Sequence, residues 1–136
     1  MILTLIACGR SKASHPLPAR ELYTGSFFRS ARATAIATSP EWRIVSAKHG
    51  IVTPERVLAP YSVFVGDLSA SELGALREFV RAEVERLRRS FEVRSLLPRR
   101  YHDLIADLVP MSPIYGMRLG IACGELRHLR EARCLR

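Results

Sequence analysis

Three polar side chains follow an extended, β-branched stretch near the middle of the chain, where they could act on a ligand. They are Ser46, Lys48 and His49, and Gly50 then interrupts the extended pattern. A hydroxyl, an ammonium and an imidazole together are suited to binding an anion and to nucleophilic or acid–base chemistry. In an open α/β sheet, ligands usually bind beyond a strand end of this kind. We therefore predict a site here, with Lys48 and His49 as catalytic candidates.

A second polar loop follows the first apolar run of the chain, residues 2–7. It consists of Cys8, Gly9, Arg10, Ser11 and Lys12. Glycine permits a tight turn, and the amides that follow, with hydroxyl and basic side chains, could cradle a phosphate. The Walker A pattern is absent, and a solvated basic turn is the alternative interpretation. We predict phosphate binding by this loop, with Lys12 also a catalytic candidate.

The two lysines of the chain both lie in the two polar loops described above. Of the 21 basic residues only two are lysines, Lys12 and Lys48, and each lies close to a glycine. Arginine cannot replace a compact, titratable ammonium group, because its guanidinium stays charged. The two lysines therefore fit a role in which an amine itself is needed.

Further candidates lie between and after these loops. Glu21 is the only acid among the first 40 residues and is surrounded in sequence by basic residues. It could act in catalysis, bind sugar hydroxyls, or pair with an arginine, which is the commoner fate of such a group. The remaining binding candidates are Tyr23, Thr24, Gly25 and Tyr61.

Composition is that of a globular protein and favours an anionic partner. The chain has 136 residues, of which 48% are hydrophobic and 25% charged, enough for one domain with its own core. The net charge of +8 favours a nucleotide or a nucleic acid as partner, the alternative being a generically basic surface. No apolar run approaches the roughly 20 residues that span a bilayer, so we expect no membrane partner and a cytoplasmic location.

The cysteines indicate neither a disulfide framework nor a metal site. Cys8, Cys123 and Cys134 are far apart and form no CxxC pair. Zinc sites and disulfide scaffolds use closer or paired spacings. We therefore predict no metal and no cofactor, and an incidental free thiol at Cys134.

The elements that must position the two loops form a strand–helix–strand unit. The continuous apolar run 2–7 predicts a strand buried on both faces, residues 27–37 an amphipathic helix, and residues 43–46 a second strand. Such a unit makes the two strands parallel, so that their carboxyl ends share one edge of the sheet. Lys12 and Lys48 should therefore lie in neighbouring loops.

The rest of the chain repeats this alternation of helices and strands. Ser69 and Glu72 form a capping box at the start of a long helix. The pattern predicts helices over residues 69–91, 98–108 and 124–133 and strands over residues 92–97 and 117–121. The whole chain, residues 1–136, is thus predicted to be a single α/β domain, a mainly parallel open sheet with flanking helices in three layers.

Three blocks of residues together resemble the YaaA-like proteins. The blocks are Cys8-Gly9-x-x-Lys12, Ala19-Arg20-x-Leu22-Tyr23-Thr24-Gly25 and Ser46-Ala47-Lys48-His49-Gly50, with Pro60-Tyr61 after them. The resemblance is greatest to compact, uncharacterised relatives with CGxxK, ARxLYTG and SAKxG…PY blocks, and it covers mainly the first half of the chain. It implies a YaaA-like α/β domain over residues 1–136. YaaA-like proteins are linked with peroxide stress and DNA binding, so it also implies a role connected with nucleic acids.

Two functions fit these residues, and we favour the first, an enzyme that handles a nucleotide or a nucleobase. N-glycosidic bond cleavage and base modification suit the candidate residues, and so does phosphate-ester chemistry. Tyr23 or Tyr61 would stack on the base, and Glu21 would contact ribose or stabilise positive charge at the anomeric carbon. His49 would be the general acid or base, and a desolvated Lys48 or Lys12 a nucleophile.

The alternative is a non-catalytic DNA- or RNA-binding protein of the YaaA-like stress-response type. The net charge of +8 and the resemblance both favour it. A basic domain with a solely structural role would leave the clustering of Lys12, Ser46, Lys48 and His49 as coincidence.

Overall fold

A computed structural model describes residues 1–134 as an α/β domain. The prediction that Cys134 has an incidental free thiol concerns a side chain outside those that the structure describes. The strands are β1 (Ile2–Ala7), β2 (Leu17–Pro18), β3 (Glu41–Ser46), β4 (Gly50–Val52), β5 (Val57–Leu58) and β6 (Glu92–Ser95). The helices are α1 (Ala19–Leu22), α2 (Ser26–Thr38), α3 (Ala70–Leu87), α4 (Arg99–His102) and α5 (Leu119–Cys134), and a 3-10 turn covers Val65–Asp67.

The main sheet is open and mostly parallel, with strand order β4-β3-β1-β6. β1 pairs in parallel with β3, placing Ala7 opposite Val45, and in parallel with β6, placing Leu5 opposite Ser95. Only β4 runs antiparallel, as the second arm of a hairpin with β3. The prediction of a parallel strand–helix–strand unit is confirmed, and β1 has a parallel neighbour on each side.

Helices cover both faces of this sheet and make three layers, as predicted. On one face α3 packs Leu76, Val80 and Val84 against a cluster that contains Leu5 and Val45. On the other face α2 and α5 pack against Ile6 and Ile44 through Phe28, Ala31, Ala35, Ala122 and Leu126. Burial on both faces explains why β1 reads as a continuous apolar run.

The capping box at the start of α3 is present as predicted. Ser69 Oγ accepts a hydrogen bond from the Glu72 amide at 3.1 Å, and Glu72 Oε1 accepts one from the Ser69 amide at 2.9 Å. The helix ends at Leu87, where turn bonds such as Ser90 N to Leu87 O at 3.0 Å replace it. Residues 88–91 are therefore not helical, contrary to the predicted range.

Two other sequence expectations are wrong in the second half of the chain. α4 ends at His102, because the amides of Leu104 and Ile105 bond carbonyls three residues back rather than four. The expected strand over residues 117–121 is the start of α5, whose first turn leaves Leu119 and Ile121 60% and 63% exposed. Apolar residues that face solvent cannot mark a buried strand.

A small second sheet joins two parts of the chain that carry candidate residues. β2 pairs antiparallel with β5, and the Ala19 and Arg20 amides bond the carbonyls of Arg56 and Pro54. These bonds place the segment that leads to Tyr61 beside the segment that leads to Tyr23. Among the helices of residues 1–134, none combines the length and hydrophobicity that crossing a bilayer requires.

Candidate functional site

A crevice lies at the carboxyl ends of β1 and β6. The loop after β1 leads to α2, and the loop after β6 leads to α4 and later to α5, which packs beside α2 on the same face of the sheet. The loops that follow these two neighbouring parallel strands therefore lie side by side, at the end of the sheet where open α/β folds usually bind a ligand. The sequence predicted a site between the loops after β1 and β3. The structure adds a cavity on the other side of β1.

This cavity, which we call the arginine cavity, has a volume of about 600 Å³. Its charged residues come from the loop after β1 and from the start of α4, and its apolar residues from α2, α5 and the stretch before the 3-10 turn. The lining residues used below are Cys8, Gly9, Arg10, Ser11, Gly25, Ser26, Phe27, Phe28, Phe64, Arg99, Arg100, Tyr101, Gly116, Met117 and Leu119. The residues expected to bind phosphate in the loop after β1, Cys8, Gly9, Arg10 and Ser11, thus line a cavity of ligand size.

Three arginine side chains give the cavity its charge. The Arg10 guanidinium lies 3.6 Å from the centre of the Phe64 ring, and the Arg100 guanidinium lies 5.8 Å from the same centre. The Arg99 guanidinium lies 5.3 Å from the Tyr115 ring. Aromatic faces attract cations, so the rings hold these guanidinium groups without neutralising them.

The amino end of α2 adds unpaired backbone donors to the same cavity. Its N-cap is Gly25, which has no side chain to cap the helix, and the first turn contains no acidic residue. Ser26, Phe27 and Phe28 of that turn line the cavity. The first amides of a helix have no partner within the helix and favour negative charge. The predicted binding residue Gly25 also lines the cavity.

Cys8 connects the arginine cavity to the other predicted residues. Its sulfur lies 3.1 Å from the Tyr101 hydroxyl, and both residues line the cavity. The Cys8 amide donates to the Val45 carbonyl at 3.0 Å, so the loop after β1 starts in register with β3. Burial raises the pKa of Tyr101 above its ordinary value, and Tyr101 therefore stays protonated at neutral pH.

On the other side of β1, three buried hydroxyl groups form what we call the hydroxyl cluster: Tyr23, Ser46 and Tyr61. The Tyr61 hydroxyl lies 2.7 Å from Ser46 Oγ and 2.6 Å from the Tyr23 hydroxyl. Ser46 Oγ also accepts hydrogen bonds from the amides of Lys48 at 3.2 Å and His49 at 3.1 Å. Ser46 thus holds the turn between β3 and β4 in place.

The direction of the hydrogen bonds in the hydroxyl cluster follows from this. A serine hydroxyl has two acceptor positions and one donor, and the amides of Lys48 and His49 occupy both acceptor positions of Ser46. Ser46 must then donate to Tyr61, and Tyr61 to Tyr23. Among the hydrogen bonds of the described residues, the Tyr23 hydroxyl has no other partner. The Tyr23 hydroxyl proton is therefore the one that is not donated in this series of hydrogen bonds.

Both lysines approach the ring of Tyr61, as their placement in neighbouring loops predicted. The Lys12 ammonium lies 4.3 Å from the ring centre and the Lys48 ammonium 5.7 Å. Lys12 also donates to the Arg10 carbonyl at 3.2 Å. Burial lowers the pKa of the Lys12 amine below its ordinary value of 10.5, an effect that the nearby Cys8 thiol opposes. Lys12 is not among the residues that line the cavity.

His49 lies on the same hairpin turn, with its ring centre 5.2 Å from that of Tyr61 and edge-on to it. Burial lowers its pKa below 6.5, and the charges of Arg56 and Lys48 lower it further. The imidazole is therefore neutral at pH 7 and can accept a proton. Gly50 follows with a φ of +74°, and a side chain there would overlap the Phe79 ring. The structure thus gives Gly50 a turn role.

The expectation that Tyr23 or Tyr61 stacks on a base needs correction. The two residues are only 1% and 9% exposed, so neither ring has a face open to a ligand. Burial raises the pKa of Tyr23 to about 12 and that of Tyr61 well above its ordinary value, which keeps both hydroxyls protonated. Two half-buried aromatic side chains line the cavity instead, Phe27 and Phe64, and the Arg10 guanidinium covers one face of the Phe64 ring.

Glu21 and Thr24 lie at the edge of the predicted site. The Glu21 carboxylate is half-exposed and lies 3.8 Å from Arg20, the commoner fate considered for it. Among residues 1–134 no hydrogen bond joins its side chain to the hydroxyl cluster. The Thr24 amide donates to the Ser11 carbonyl at 2.9 Å and so ties the loop after β1 to the start of α2. A catalytic role for Glu21 stays a prediction.

Among the cavity residues that sequence reasoning missed are Phe64, Arg99, Arg100 and Tyr101. Phe64 lies near the middle of the chain and the other three lie in its second half, and none belongs to a recognisable motif. One signal was present, because a strand over residues 92–97 was expected and ligand-binding residues usually follow strands. That signal could be used only with the strand order, which puts β6 beside β1.

Comparison with known proteins shows the family of the chain and leaves its activity open. Among the described side chains, those of residues 1–132, no group of three or more His, Cys, Asp or Glu could hold a metal ion. The chain matches no curated protein and no solved structure. Residues 3–120, most of the chain and all of the site described above, match one family model. The protein therefore belongs to DUF6884, a family of unknown function.

Proposed function

We propose that the protein is an enzyme that handles a nucleotide or a nucleobase, and that the ligand binds in the arginine cavity. The observation that carries this proposal is the composition of the cavity, which brings Arg10, Arg99 and Arg100 together with the aromatic residues Phe27 and Phe64, the latter with the Arg10 guanidinium over its ring. A nucleotide has the matching chemistry, an anionic phosphate and a flat base that stacks on aromatic side chains. The volume of about 600 Å³ suits a ligand of that size.

Lys12 is the residue we propose for the chemical step. Its ammonium lies outside the arginine cavity, over the Tyr61 ring, so the proposal requires the reacting part of the ligand to extend from the cavity past Cys8 towards Lys12. Its lowered pKa raises the fraction of neutral amine at pH 7, and only the neutral amine can act as a nucleophile or general base. Cys8, four residues earlier, lines the cavity and lies near Lys12. Such an amine fits N-glycosidic bond cleavage, in which the nucleophile bonds to the anomeric carbon while the base leaves and takes up a proton. It fits base modification equally.

Lys48 and His49 are the other groups we propose for proton transfer. Both lie on the turn that Ser46 holds, and both approach the ring beside which Lys12 lies. The neutral imidazole of His49 is suited to accepting a proton from water or from an attacking amine. We also propose a cytoplasmic location, because the unpaired thiols of Cys8 and Cys123 and a nucleotide ligand both fit a reducing compartment.

A turnover screen tests this proposal. Nucleotides, nucleosides and modified bases are incubated with the protein and separated by chromatography. We expect turnover of at least one nucleotide class, lost in Lys12→Ala and retained in Arg89→Ala, an exposed arginine that precedes β6 and so lies at its amino end, away from the cavity at its carboxyl end. Lys48→Ala separates the two lysines as candidates for the nucleophile. Absence of turnover, or equal turnover in wild type and Lys12→Ala, would overturn the proposal.

The net charge of +8 favours one other function, non-catalytic binding of DNA or RNA. The resemblance of the sequence blocks to YaaA-like proteins points the same way and is part of this alternative proposal. Binding to duplex DNA and to single-stranded RNA is measured over a series of salt concentrations. Micromolar or tighter binding that weakens steeply with salt would favour this function, and absent or salt-independent binding would remove it.

A further inference from the structure

We infer, building on the proposed function, that the arginine cavity takes a nucleoside di- or triphosphate, with Arg99 and Arg100 binding the phosphoryl group beyond the first. The loop Gly9–Ser11 and Arg10 would hold the phosphoryl group nearest the nucleoside. The sequence motifs of the first half include neither Arg99 nor Arg100. The proposal therefore assigns a second phosphate subsite to the residues that follow β6.

Unpaired charge is the first observation behind this subsite. Arg10, Arg99 and Arg100 all line one cavity, and no aspartate or glutamate is among the residues that line it. The ion pairs of residues 1–134 involve none of these three arginines. Three guanidinium groups therefore share a small volume without a carboxylate to balance them.

Such a concentration of charge favours a polyanion. Like charges repel, and a guanidinium cannot relieve the repulsion by losing its proton, because its pKa is too high. A bound anion can relieve it, and the planar guanidinium matches a phosphate with two parallel hydrogen bonds. A di- or triphosphate carries more negative charge than a monophosphate and suits three guanidinium groups better than one phosphoryl group does.

The guanidinium groups come from two neighbouring strands and meet at one ring. β1 and β6 pair directly, and Arg10 follows β1 whereas Arg100 follows β6. The Arg10 and Arg100 guanidinium groups lie 3.6 Å and 5.8 Å from the centre of the Phe64 ring, so an anion bound by one is within reach of the other. Phe27, Met117 and Leu119 supply apolar surface for the base in the same cavity.

Two glycines make room for the guanidinium groups of this subsite. A side chain at Gly116, whose φ is +74°, would come within 2.9 Å of an Arg99 guanidinium nitrogen. A side chain at Gly66 would overlap the Arg100 guanidinium. The backbone conformation around the cavity thus accommodates both arginines in the positions where they line it. Gly66→Ala displaces the Arg100 guanidinium without removing its charge, and it also shifts the Phe64 ring, whose edge would lie 2.7 Å from the new side chain.

The experiment compares the affinity of the protein for adenosine and guanosine mono-, di- and triphosphates by calorimetry, with EDTA present. A charge-assisted hydrogen bond is worth about tenfold in affinity or more, so we expect the diphosphate to bind about tenfold tighter than the monophosphate. In Arg99→Gln/Arg100→Gln that advantage should vanish, with monophosphate affinity within about threefold of wild type. Gly66→Ala should reduce the advantage although the charge is unchanged.

The matched control removes the same charge elsewhere. Arg88→Gln/Arg89→Gln removes two exposed arginines that precede β6, at the end of the strand away from the cavity. This variant should keep the diphosphate advantage. Thermal unfolding of Arg99→Gln/Arg100→Gln should show an equal or higher Tm without ligand, because repulsion is removed. Pyrophosphate should compete with the diphosphate in wild type and not in that double variant.

The outcomes separate this inference from the proposed function. Equal affinity for mono- and diphosphates in wild type, or an unchanged advantage in Arg99→Gln/Arg100→Gln, overturns the second subsite while nucleotide binding stands. Loss of the advantage in Arg88→Gln/Arg89→Gln as well would show a general charge effect and would also overturn it. If no nucleotide binds to the wild-type protein, the proposed nucleotide function and the subsite fail together.

Discussion

The hydroxyl cluster and the arginine cavity lie on opposite sides of the end of β1, and their polar groups differ in what they contact. Ser46 and Tyr61 are buried and hydrogen-bonded within the protein. Arg99 and Arg100 are exposed and have no carboxylate partner among residues 1–134. Buried polar groups with partners stabilise one conformation, whereas exposed and unpaired charges are available to a ligand. The difference suggests positioning for the cluster and binding for the cavity.

Lys12 and Cys8 connect these two regions through one loop. The Lys12 ammonium lies over a ring of the hydroxyl cluster, and Cys8 contacts Tyr101 at the wall of the cavity. Because Ser46 fixes the Tyr61 hydroxyl, it also fixes the ring beside which Lys12 lies. Variants of the cluster should therefore be detected mainly in the free energy of unfolding, and variants of the cavity mainly in ligand affinity.

The largest loss of stability is expected for Ser46→Ala. The Ser46 side chain is fully buried, accepts hydrogen bonds from the amides of Lys48 and His49, and donates to Tyr61. Its removal leaves two amides without a partner and takes from the Tyr61 oxygen the hydrogen bond that it accepts, so unfolding by urea should show a loss of roughly 3 kcal/mol. Ser71→Ala, on the exposed face of α3, is the control and should change stability by less than about 0.5 kcal/mol.

A small effect of Ser46→Ala would contradict this account of the cluster. A loss below about 1 kcal/mol would mean that water replaces the hydroxyl, and that the turn between β3 and β4 holds without it. The contrast drawn between the two regions would then be wrong for the hydroxyl cluster, because its polar groups would be accessible to solvent, as those of the arginine cavity are.

High pH should destabilise the protein through the same cluster. Burial raises the pKa of Tyr23 from 10.0 to about 12 in the folded protein. The folded state therefore keeps a proton that the unfolded state loses, so this contribution is complete below pH 10 and is lost as the pH rises through about 12. The free energy of unfolding should fall by roughly 2 kcal/mol across that window, with tyrosinate absorbance at 295 nm as the second signal.

Tyr23→Phe checks which residue carries this dependence on pH. The variant loses one hydrogen bond with Tyr61, which costs about 1 kcal/mol at neutral pH, and it should show a flatter decline above pH 10. A decline as steep as that of wild type would assign the effect to other groups. Arg99→Gln/Arg100→Gln should leave the decline unchanged, because the hydroxyl cluster contains neither arginine.

The structural features that depend on adjacent residues were predicted from the sequence. The apolar run 2–7, the helix after it and the capping box of α3 are all present, because burial on two faces and helix capping leave direct marks on adjacent residues. The convergence of Lys12 and Lys48 also followed from parallel strands. The burial of Tyr61 could not be predicted, since it depends on the pairing of β2 with β5, each only two residues long.

The arginine cavity could not be predicted because it depends on strand order. Arg99 and Arg100 follow β6 and are about ninety residues from Gly9 in sequence, and the two regions meet only because β6 pairs with β1. Two arginines after a proline also look like any exposed basic pair in a chain with a net charge of +8. Residue types show what chemistry is possible, but a site that two distant segments share appears only with the topology.

The smallest effect on stability is expected for Glu21→Gln, which tests whether this residue belongs to either region. Its side chain is 53% exposed and lies 3.8 Å from Arg20, and exposed ion pairs contribute little. We expect the free energy of unfolding to change by less than about 0.5 kcal/mol, with Glu41→Gln, at another partly exposed ion pair, as the control. A larger loss would show a contact with the hydroxyl cluster. If stability is unchanged but nucleotide turnover falls about tenfold or more, Glu21 acts on the ligand from outside both regions, and binding is then not confined to the arginine cavity.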